Sequence, residues 1–321
     1  MKTGNRQRAV GEAHGKLILV GEHVVVYDKP AVAIPFPLRI KAIITEHEGE
    51  ISIASSLYTG NLKGMPDKML GLAKCIYESL ETCNQPKEGI HIEIESEIPM
   101  GRGLGSSAAS ATAIVRAIFN FFGKPLSKDE LYILVELAEK HAHGKPSGID
   151  MRTVANDEAI IFQKSKGAIG LISPKAFYMV VADTGEIGDT KIAVEHVKEL
   201  KQQKPNEIDP IIDEIEDIVW KAKEAILTGD SVLLGSLLFM NHTNLKKLEV
   251  SNPMLDHLVE TAMKAGALGA KLTGSGMGGC MIALTKDLTD ARKVGKVLIN
   301  EGAKAAWCFS TDSKVLTKME G

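Results

Sequence analysis

The feature that most constrains the fold is a glycine-rich segment, Pro99-Met-Gly-Arg-Gly-Leu-Gly-Ser-Ser-Ala-Ala109. The residues before it, 89–98, alternate apolar and polar side chains, which is the period-two pattern of a half-buried strand. The residues after it, 108–122, are apolar and contain no helix breaker before Gly123, which predicts a buried helix that ends at a C′ glycine. The sequence therefore predicts a strand, a glycine-rich turn and a helix in succession.

A turn of this kind is suited to holding phosphate. Gly101, Gly103 and Gly105 allow backbone N–H groups to approach an anion closely, and the start of a helix adds unpaired N–H groups and the positive end of its dipole. The alternative is a tight turn that uses glycine only for its backbone freedom. Three glycines with Ser106 and Ser107 in seven residues are more than a turn requires, which favours a nucleotide phosphate loop.

Two known kinds of phosphate loop do not fit. The Walker motif needs a lysine before the hydroxyl residue, and here Gly105 is followed directly by serine. The loose dinucleotide fingerprint also requires a second strand that ends in an acidic residue about 20 positions later. At that place Ser127 and Glu130 form a capping box, which predicts a helix start and argues against a nicotinamide-dependent oxidoreductase.

Composition excludes several other classes of protein. The 321 residues carry a net charge of −3 with no polybasic block, which argues against nucleic acid or an anionic membrane as a partner. No apolar run approaches the roughly 18 residues of a membrane span, and Met1–Gly15 contains no hydrophobic export segment. The four cysteines are widely spaced and match no metal pattern, so we expect reduced thiols in a cytoplasmic protein.

The chain reads as strand-rich at first and helix-rich afterwards. Strands are predicted at 6–12, 38–45, 50–55, 89–98, 158–163, 176–182, 281–285 and 305–309, and helices at 67–81, 108–122, 128–143, 190–201, 208–227, 232–248 and 253–265. The least structured zone is 164–174, so two domains are predicted, 1–170 and 171–321.

Three further clusters contain residues suited to chemistry. Lys16, Glu22 and His23 interrupt or flank an almost continuous run of Val, Leu and Ile, where charge is costly unless it is paired or functional. An exposed strand end is the alternative for that cluster. Asp150 follows a Gly/Pro turn and suits a general base or a metal ligand, although it is equally suited to capping the short segment 151–155.

The third cluster is a second glycine-rich loop, Lys271-Leu-Thr-Gly-Ser-Gly-Met-Gly-Gly-Cys280. Its density of glycine indicates backbone packed closely against a ligand or against another segment.

Together these segments resemble the GHMP kinases, a family of small-molecule kinases. That family is marked by an N-terminal lysine-bearing segment, a P-x-G-x-G-L-G-S-S-A-A loop and a late K-x-T-G-x-G-x-G-G-C-like loop, and all three occur here in that order. Gly15-Lys16 with Gly21-Glu22-His23, together with the H-G-K-P-S-G-I-D sequence at 143–150, is most similar to the branch that phosphorylates mevalonate. The resemblance implies a two-domain α+β fold, with an N-terminal domain like ribosomal protein S5 domain 2 and a C-terminal α/β-plait domain.

The resemblance also implies roles for individual residues. ATP would be bound by the phosphate loop, at Pro99, Gly101, Arg102, Gly103, Leu104, Gly105, Ser106, Ser107 and Ala108. Mg²⁺ would be held by Ser107 and Glu139. Asp150 would act on the attacking hydroxyl as base or electrostatic anchor, and Lys16, close to it, would stabilise the moving phosphoryl group. Lys16, Glu22, His23, Asp150, Thr190 and Gly274 would line the mevalonate side, and Gly274, Gly276 and Gly278 would brace the phosphate loop or the substrate carboxylate.

Some alternatives remain within the same family. Another GHMP kinase, such as a phosphomevalonate kinase, or a non-catalytic nucleotide-binding regulator would share the fold. A regulator is expected to lose Lys16, Glu139 or Asp150, and this chain retains all three. His14, Asp28 and Met277 depart from the family pattern without touching a proposed catalytic group, and a homodimer is expected from the family.

Overall fold

The computed structural model describes residues 7–143, 146–312 and 316–320. The chain divides into two compact units, each discontinuous in sequence. The first unit comprises Met1–Gly15, Leu38–Pro99 and Gly105–Asn156, and the second comprises Lys16–Pro37, Met100–Leu104 and Asp157–Gly321. The domains predicted from the sequence, 1–170 and 171–321, are contiguous stretches, and their boundary at residue 170 stays a prediction.

The strands of the first half of the chain are β1 (Arg8–Val20), β2 (Ala31–Glu50), β3 (Ser52–Ala54), β4 (Thr59–Asn61) and β5 (Glu88–Ser96). Within the first unit, the later part of β2 pairs antiparallel with β5, and β3 lies parallel to β5 and antiparallel to β4. Ile90 and Ile92 are buried while Glu93 and Glu95 are exposed. This alternation confirms the period-two prediction for the strand that precedes the phosphate loop.

The helices of the first unit are α1 (Leu70–Thr82), α2 (Ser106–Phe121), α3 (Lys128–His143) and α4 (Ile149–Val154). Helix α2 packs against α1, α3 and α4. Small residues let β1 approach α2, because a Cβ added to Gly11 would lie 2.2 Å from the carbonyl oxygen of Ala113. The predicted ends are confirmed: Gly123 follows α2 with φ 61°, and Ser127 and Glu130 exchange hydrogen bonds at the start of α3.

The second unit contains β6 (Ala159–Gln163), β7 (Gly167–Leu171), β8 (Tyr178–Asp183), β9 (Gly269–Thr273), β10 (Cys280–Thr285), β11 (Ala305–Ser310) and β12 (Leu316–Glu320). Residues 31–33 of β2 pair with β6, which pairs with β7. A separate antiparallel sheet has the order β12-β11-β8-β10-β9. This sheet places the end of β8 beside the start of β10, where the second glycine-rich loop ends.

The helices of the second unit are α5 (Thr190–Gln203), α6 (Pro205–Thr228), α7 (Ser231–Lys247), α8 (Pro253–Lys264) and α9 (Leu288–Asn300). Helices α7 and α8 pack on β9, and α9 packs on β8 and β11. The helical spacing predicted for α6 is confirmed by its buried face, which includes Ile208, Ile212 and Ile215. The core of this unit is therefore made by apolar helix faces on the antiparallel sheet.

Several elements differ from the sequence prediction. The zone predicted to be least structured, 164–174, contains β7, whose edge position and exposed Ile169 conceal a strand pattern. Helix α9 was not predicted, because its buried face is a narrow stripe of Ala291, Val294 and Leu298 among charged residues. The early part of β2, with Pro35 and Pro37, and the short strands β9 and β12 were also missed.

Candidate active site

The phosphate loop, residues 99–109, connects β5 to α2, and three of its glycines have positive φ values. Gly101, Gly103 and Gly105 have φ values of 67°, 75° and 77°, in the left-handed region that glycine adopts without strain. Gly105 is the N-cap of α2, and the first hydrogen bond of the helix runs from the Ala109 N–H to the Gly105 carbonyl at 2.9 Å. The N–H groups of Ser106, Ser107 and Ala108 therefore have no partner within the helix and mark its positive end.

Within the first unit, the loop serine and a buried acid lie together. The Ser107 hydroxyl donates a hydrogen bond to Oε1 of Glu139 at 2.7 Å, and Glu139 is buried in α3. The structure thus joins the two residues predicted to hold a metal. Hydroxyl and carboxylate oxygens are hard ligands of the kind that Mg²⁺ prefers.

Asp150 lies in the first turn of α4, partly exposed. The N-cap of that helix is Gly148 with φ 90°, so the alternative in which Asp150 caps it is wrong. Two residues of the preceding motif, Gly144 and Lys145, lie outside the described residues. Lys16 belongs to the second unit, so its closeness to Asp150 stays a prediction.

Within the second unit, Lys16 is buried in β1, and its backbone N–H donates to the Leu104 carbonyl of the phosphate loop at 2.9 Å. The lysine-bearing strand and residues 100–104 are therefore hydrogen-bonded to each other. The exposed strand end that was the alternative for Lys16 is not observed.

Glu22 is completely buried in an ion pair with Lys271, and both side chains are 0% exposed. The second carboxylate oxygen of Glu22 accepts a hydrogen bond from Asn241 at 2.9 Å. Burial lowers the pKa of Lys271, and the charge of Glu22 opposes that effect. With both oxygens engaged by protein groups, Glu22 offers no free carboxylate and ties the segment before His23 to Lys271 of β9 and Asn241 of α7.

His23 and Thr190 meet at Ser275, which sequence reasoning did not single out. Nε2 of His23 lies 2.9 Å from the Ser275 carbonyl, so this nitrogen carries the proton and donates. The Thr190 hydroxyl donates to the Ser275 hydroxyl at 3.2 Å. Burial lowers the pKa of His23 to about 4, so its ring is neutral near pH 7.

The second glycine-rich loop packs directly on the first. A Cβ added to Gly274 would lie 2.9 Å from Cα of Gly103, and one added to Gly103 would lie 3.1 Å from the Thr273 carbonyl oxygen, so the two loops are in close backbone contact. Gly276 and Gly278 approach other segments, at Val250 and Ile187 respectively. Of the three glycines predicted to brace the phosphate loop, Gly274 is therefore the one that touches Gly103.

Two of the departures from the family pattern have a backbone explanation. Asp28, where a glycine is common, has φ 61°, and Asp tolerates this region better than most residues. Met277 replaces a glycine and keeps φ 56°, and its N–H donates to the Val250 carbonyl at 2.7 Å.

One cavity of about 430 Å³ lies between α7 and α8, lined by residues that include His242, Lys246 and Asp256. None of the predicted site residues lines it. Among the described residues, no group of three or more His, Cys, Asp or Glu side chains could hold a metal ion. Nor is any helix in the described ranges long and apolar enough to cross a membrane.

Comparisons with known proteins show the family to which this chain belongs. Residues 71–155 match the family model for the GHMP kinases N terminal domain, and residues 222–304 match that for the GHMP kinases C terminal domain. A mevalonate kinase of Thermococcus sibiricus is 36% identical over 302 residues, which cover 87% of this chain and 90% of the relative. The chain therefore belongs to the GHMP kinase family, and the expected fold class is confirmed.

Solved structures show the same relationship. The mevalonate kinase of L. major in complex with R-mevalonate superposes with a TM-score of 0.83 at 25% identity, covering 97% of this chain and 98% of that chain. A phosphomevalonate kinase of Streptococcus pneumoniae has a TM-score of 0.78 at 18% identity over 97% of this chain and 99% of that chain, which shows a shared fold alone.

Replacing His23 with Asn is expected to make folding less sensitive to acid. The pKa of His23 falls from 6.5 in the unfolded chain to about 4, so the unfolded chain binds the extra proton between these values. The stability that depends on neutral His23 is present above pH 6.5 and is lost as the pH falls toward 4, amounting to about 2 kcal/mol at pH 5. Asn is chosen because its side chain keeps an N–H donor and does not titrate in this pH range.

The measurement is urea unfolding at pH 7.5 and pH 5.0. The loss of unfolding free energy between these pH values should be smaller in the His23→Asn variant than in the parent. The same substitution at the exposed His47 should leave the pH dependence unchanged. Equal losses in the parent and the His23→Asn variant would contradict the assignment.

Proposed function

We propose that this chain transfers the γ-phosphoryl group of ATP to the primary hydroxyl of mevalonate, giving 5-phosphomevalonate and ADP, a step of isoprenoid precursor synthesis. The observation that carries this proposal is the 36% identity to a mevalonate kinase over 87% of the chain. The chain also retains Lys16, Glu139 and Asp150, as expected of an active kinase rather than a non-catalytic relative. ATP is the co-substrate, as in the family.

The phosphate loop supports ATP as the phosphoryl donor. Left-handed glycines at 101, 103 and 105 present backbone N–H groups, and the unpaired N–H groups of the first turn of α2 follow directly. Such a surface binds a polyphosphate without needing a Walker lysine.

Asp150 and Lys16 are proposed to act on the reacting atoms. The hydroxyl oxygen of mevalonate attacks the γ-phosphorus as the bond to the β-phosphate oxygen breaks, and the hydroxyl proton leaves. Asp150 accepts that proton or anchors the hydroxyl, and the ammonium group of Lys16 stabilises the charge on the moving phosphoryl group. A loose phosphoryl-transfer transition state needs this positioning and charge neutralisation more than covalent chemistry.

Mg²⁺ fits the residues that the loop and α3 bring together. The Ser107 hydroxyl and the Glu139 carboxylate are 2.7 Å apart, and two protein oxygens completed by phosphates and water are typical of a magnesium site. When bound, the ion neutralises charge on the β- and γ-phosphates.

The mevalonate side is assigned to Lys16, Glu22, His23, Asp150, Thr190 and Gly274, with Glu22 acting through its buried ion pair with Lys271 rather than by direct contact. The meeting of His23 and Thr190 at Ser275 supports this assignment for the second unit. Neutral His23 and the hydroxyls of Thr190 and Ser275 form a polar group without a net charge.

We also propose a homodimer formed through one face of α7. Its exposed apolar residues follow helical spacing and are joined by two from α6; they are Val232, Leu233, Phe239, Met240, Trp220 and Leu227. Acidic residues lie near the start of α7, at Glu224 and Asp230, and lysines lie near its end, at Lys246 and Lys247. An antiparallel pairing of two copies would bring these opposite charges together around a two-fold axis.

A cytoplasmic location completes the proposal. All four cysteines are free and buried, which suits a reducing compartment.

Replacing Asp150 with Ala is expected to lower kcat by a factor on the order of 10²–10⁴, the usual effect of removing a positioned acid–base group. The measurement is ADP release from Mg-ATP with mevalonate, phosphomevalonate, galactose and homoserine offered in parallel. Turnover is expected with mevalonate alone. Asp157→Ala, which alters an exposed acid, should retain the parent rate.

Turnover with a different acceptor would keep the family and overturn the substrate assignment. If no acceptor is phosphorylated although ATP binds, the chain is a non-catalytic member.

Replacing Glu139 with Gln is expected to raise the Mg²⁺ concentration for half-maximal activity by about tenfold or more, because the carboxylate ligand is lost. Activity is measured over a range of free Mg²⁺ at saturating ATP. Glu136→Gln alters a partly exposed acid of the same helix, which pairs with Lys140 at 3.1 Å, and serves as the matched control. An unchanged Mg²⁺ dependence in the Glu139→Gln variant would remove Glu139 from the metal site.

Replacing Phe239 with Glu is expected to convert the dimer to a monomer, because a charge would be buried in the apolar contact. Light scattering after size-exclusion chromatography should give twice the mass of the chain for the parent and one mass for the variant. Ile133→Glu alters an equally apolar exposed residue on α3 and should stay dimeric. A monomeric parent would refute the interface.

A further inference from the structure

We propose that Arg102 and Asp183 form a positioning clamp that holds the phosphate loop in its binding conformation before nucleotide arrives. The inference rests on the proposed function, since it assumes that this loop binds the phosphates of ATP. It assigns to Arg102 a role different from the phosphate contact that the sequence suggests, because the side chain is directed into the protein.

The ion pair is buried and has favourable geometry. Nε of Arg102 lies 2.8 Å and 3.0 Å from the two carboxylate oxygens of Asp183, the last residue of β8. The side chains are only 9% and 5% exposed. Nη2 of Arg102 also donates to the Gly185 carbonyl at 2.9 Å, and the Gly185 N–H donates back to Asp183 at 2.8 Å. The guanidinium is therefore tied to both the end of β8 and the turn that follows it.

The remaining residues of this part of the loop are held by other contacts. The Gly101 carbonyl accepts from the Gly188 N–H at 3.1 Å, and the Leu104 carbonyl accepts from the Lys16 N–H. Gly103 lies against Gly274, where an added Cβ would come within 2.9 Å of the Gly103 backbone. Arg102 is thus the only residue from 101 to 104 that is held through a charged side chain.

Two of the three guanidinium nitrogens, Nε and Nη2, are engaged by Asp183 and by the Gly185 carbonyl, which directs the guanidinium away from solvent. Its third nitrogen, Nη1, is buried and makes no hydrogen bond to any of the described residues. Its charge is matched by Asp183 at less than 3 Å. Arg102 is for these reasons a positioning residue, and the phosphate-binding groups are the backbone N–H groups around it.

The clamp reduces the conformational freedom of the glycine-rich loop. Glycine at 101, 103 and 105 permits the left-handed backbone but also allows many other conformations in a loop that is not held. When only a fraction of molecules has the binding-competent loop, the apparent nucleotide affinity falls by that fraction. A buried charge pair restores affinity by populating one loop conformation in advance.

The test compares Arg102→Met, Asp183→Asn and the double variant. Kd for ADP is measured by calorimetry, and KM for ATP, KM for mevalonate and kcat are measured separately. Both single variants are expected to weaken ADP binding and raise KM for ATP on the order of tenfold, with KM for mevalonate within about twofold. The double variant should bind ADP no more weakly than the single variants, because it leaves no unpaired buried charge.

The Asp183→Asn variant separates positioning from direct contact. If Arg102 itself contacted phosphate, removing its carboxylate partner would leave ADP binding unchanged or make it tighter, and that result overturns the proposal. Arg102→Lys keeps the charge but loses the forked geometry, so its ADP affinity should lie between those of the parent and the Met variant.

Controls separate this inference from the function on which it rests. Arg39→Met removes an exposed arginine that pairs with Glu12 at 2.9 Å, and it should bind ADP like the parent. Thermal unfolding of each variant shows whether it is folded. If Arg102→Met does not fold, the ADP affinities of the milder Asp183→Asn and Arg102→Lys variants test the clamp. A parent that binds no ADP refutes the proposed function, whereas a parent that binds ADP with unchanged variants refutes only the clamp.

Discussion

The rest of the structure depends on the left-handed backbone of the phosphate loop, the conformation in which we propose that its N–H groups approach the phosphates of ATP. Side chains would obstruct that approach, so the loop uses glycine in the left-handed region at 101, 103 and 105. Glycine makes the loop flexible, and the surrounding protein must remove that freedom. A second glycine-rich loop does so at Gly274, and the strand that carries Lys16 does so through the Leu104 carbonyl.

Two buried ion pairs also hold segments of the second unit in place. Glu22 and Lys271 are fully buried together, and Arg102 and Asp183 are nearly so. Desolvating such groups is costly, and a buried pair adds little stability compared with apolar packing. Both pairs hold the backbone next to predicted site residues, Glu22 beside His23 and Arg102 within the phosphate loop. Geometry around the site is thus maintained at some expense of stability.

Local sequence patterns predicted most of the elements that carry the candidate site. Helix α2, its glycine N-terminus and the capping box of α3 were predicted, because each depends on residues within a few positions of one another. Helix α9 and strand β7 were missed. The apolar stripe of α9 is narrow, and β7 lies at a sheet edge where exposure removes the alternation. The prolines of β2 also concealed a strand, since Pro35 and Pro37 lie between the stretches that pair with β6 and with β5.

The sequence by itself determined the class of protein, because the three family motifs are contiguous stretches whose glycines and charged residues can be read directly. It also located the phosphate loop at the start of a helix. Only the tertiary structure decided which side chains meet: Ser107 with Glu139, Glu22 with Lys271, Arg102 with Asp183, and His23 and Thr190 at Ser275. These partners are between 32 and 252 positions apart along the chain. Contacts at that separation depend on how strands and helices pack, which no local pattern encodes.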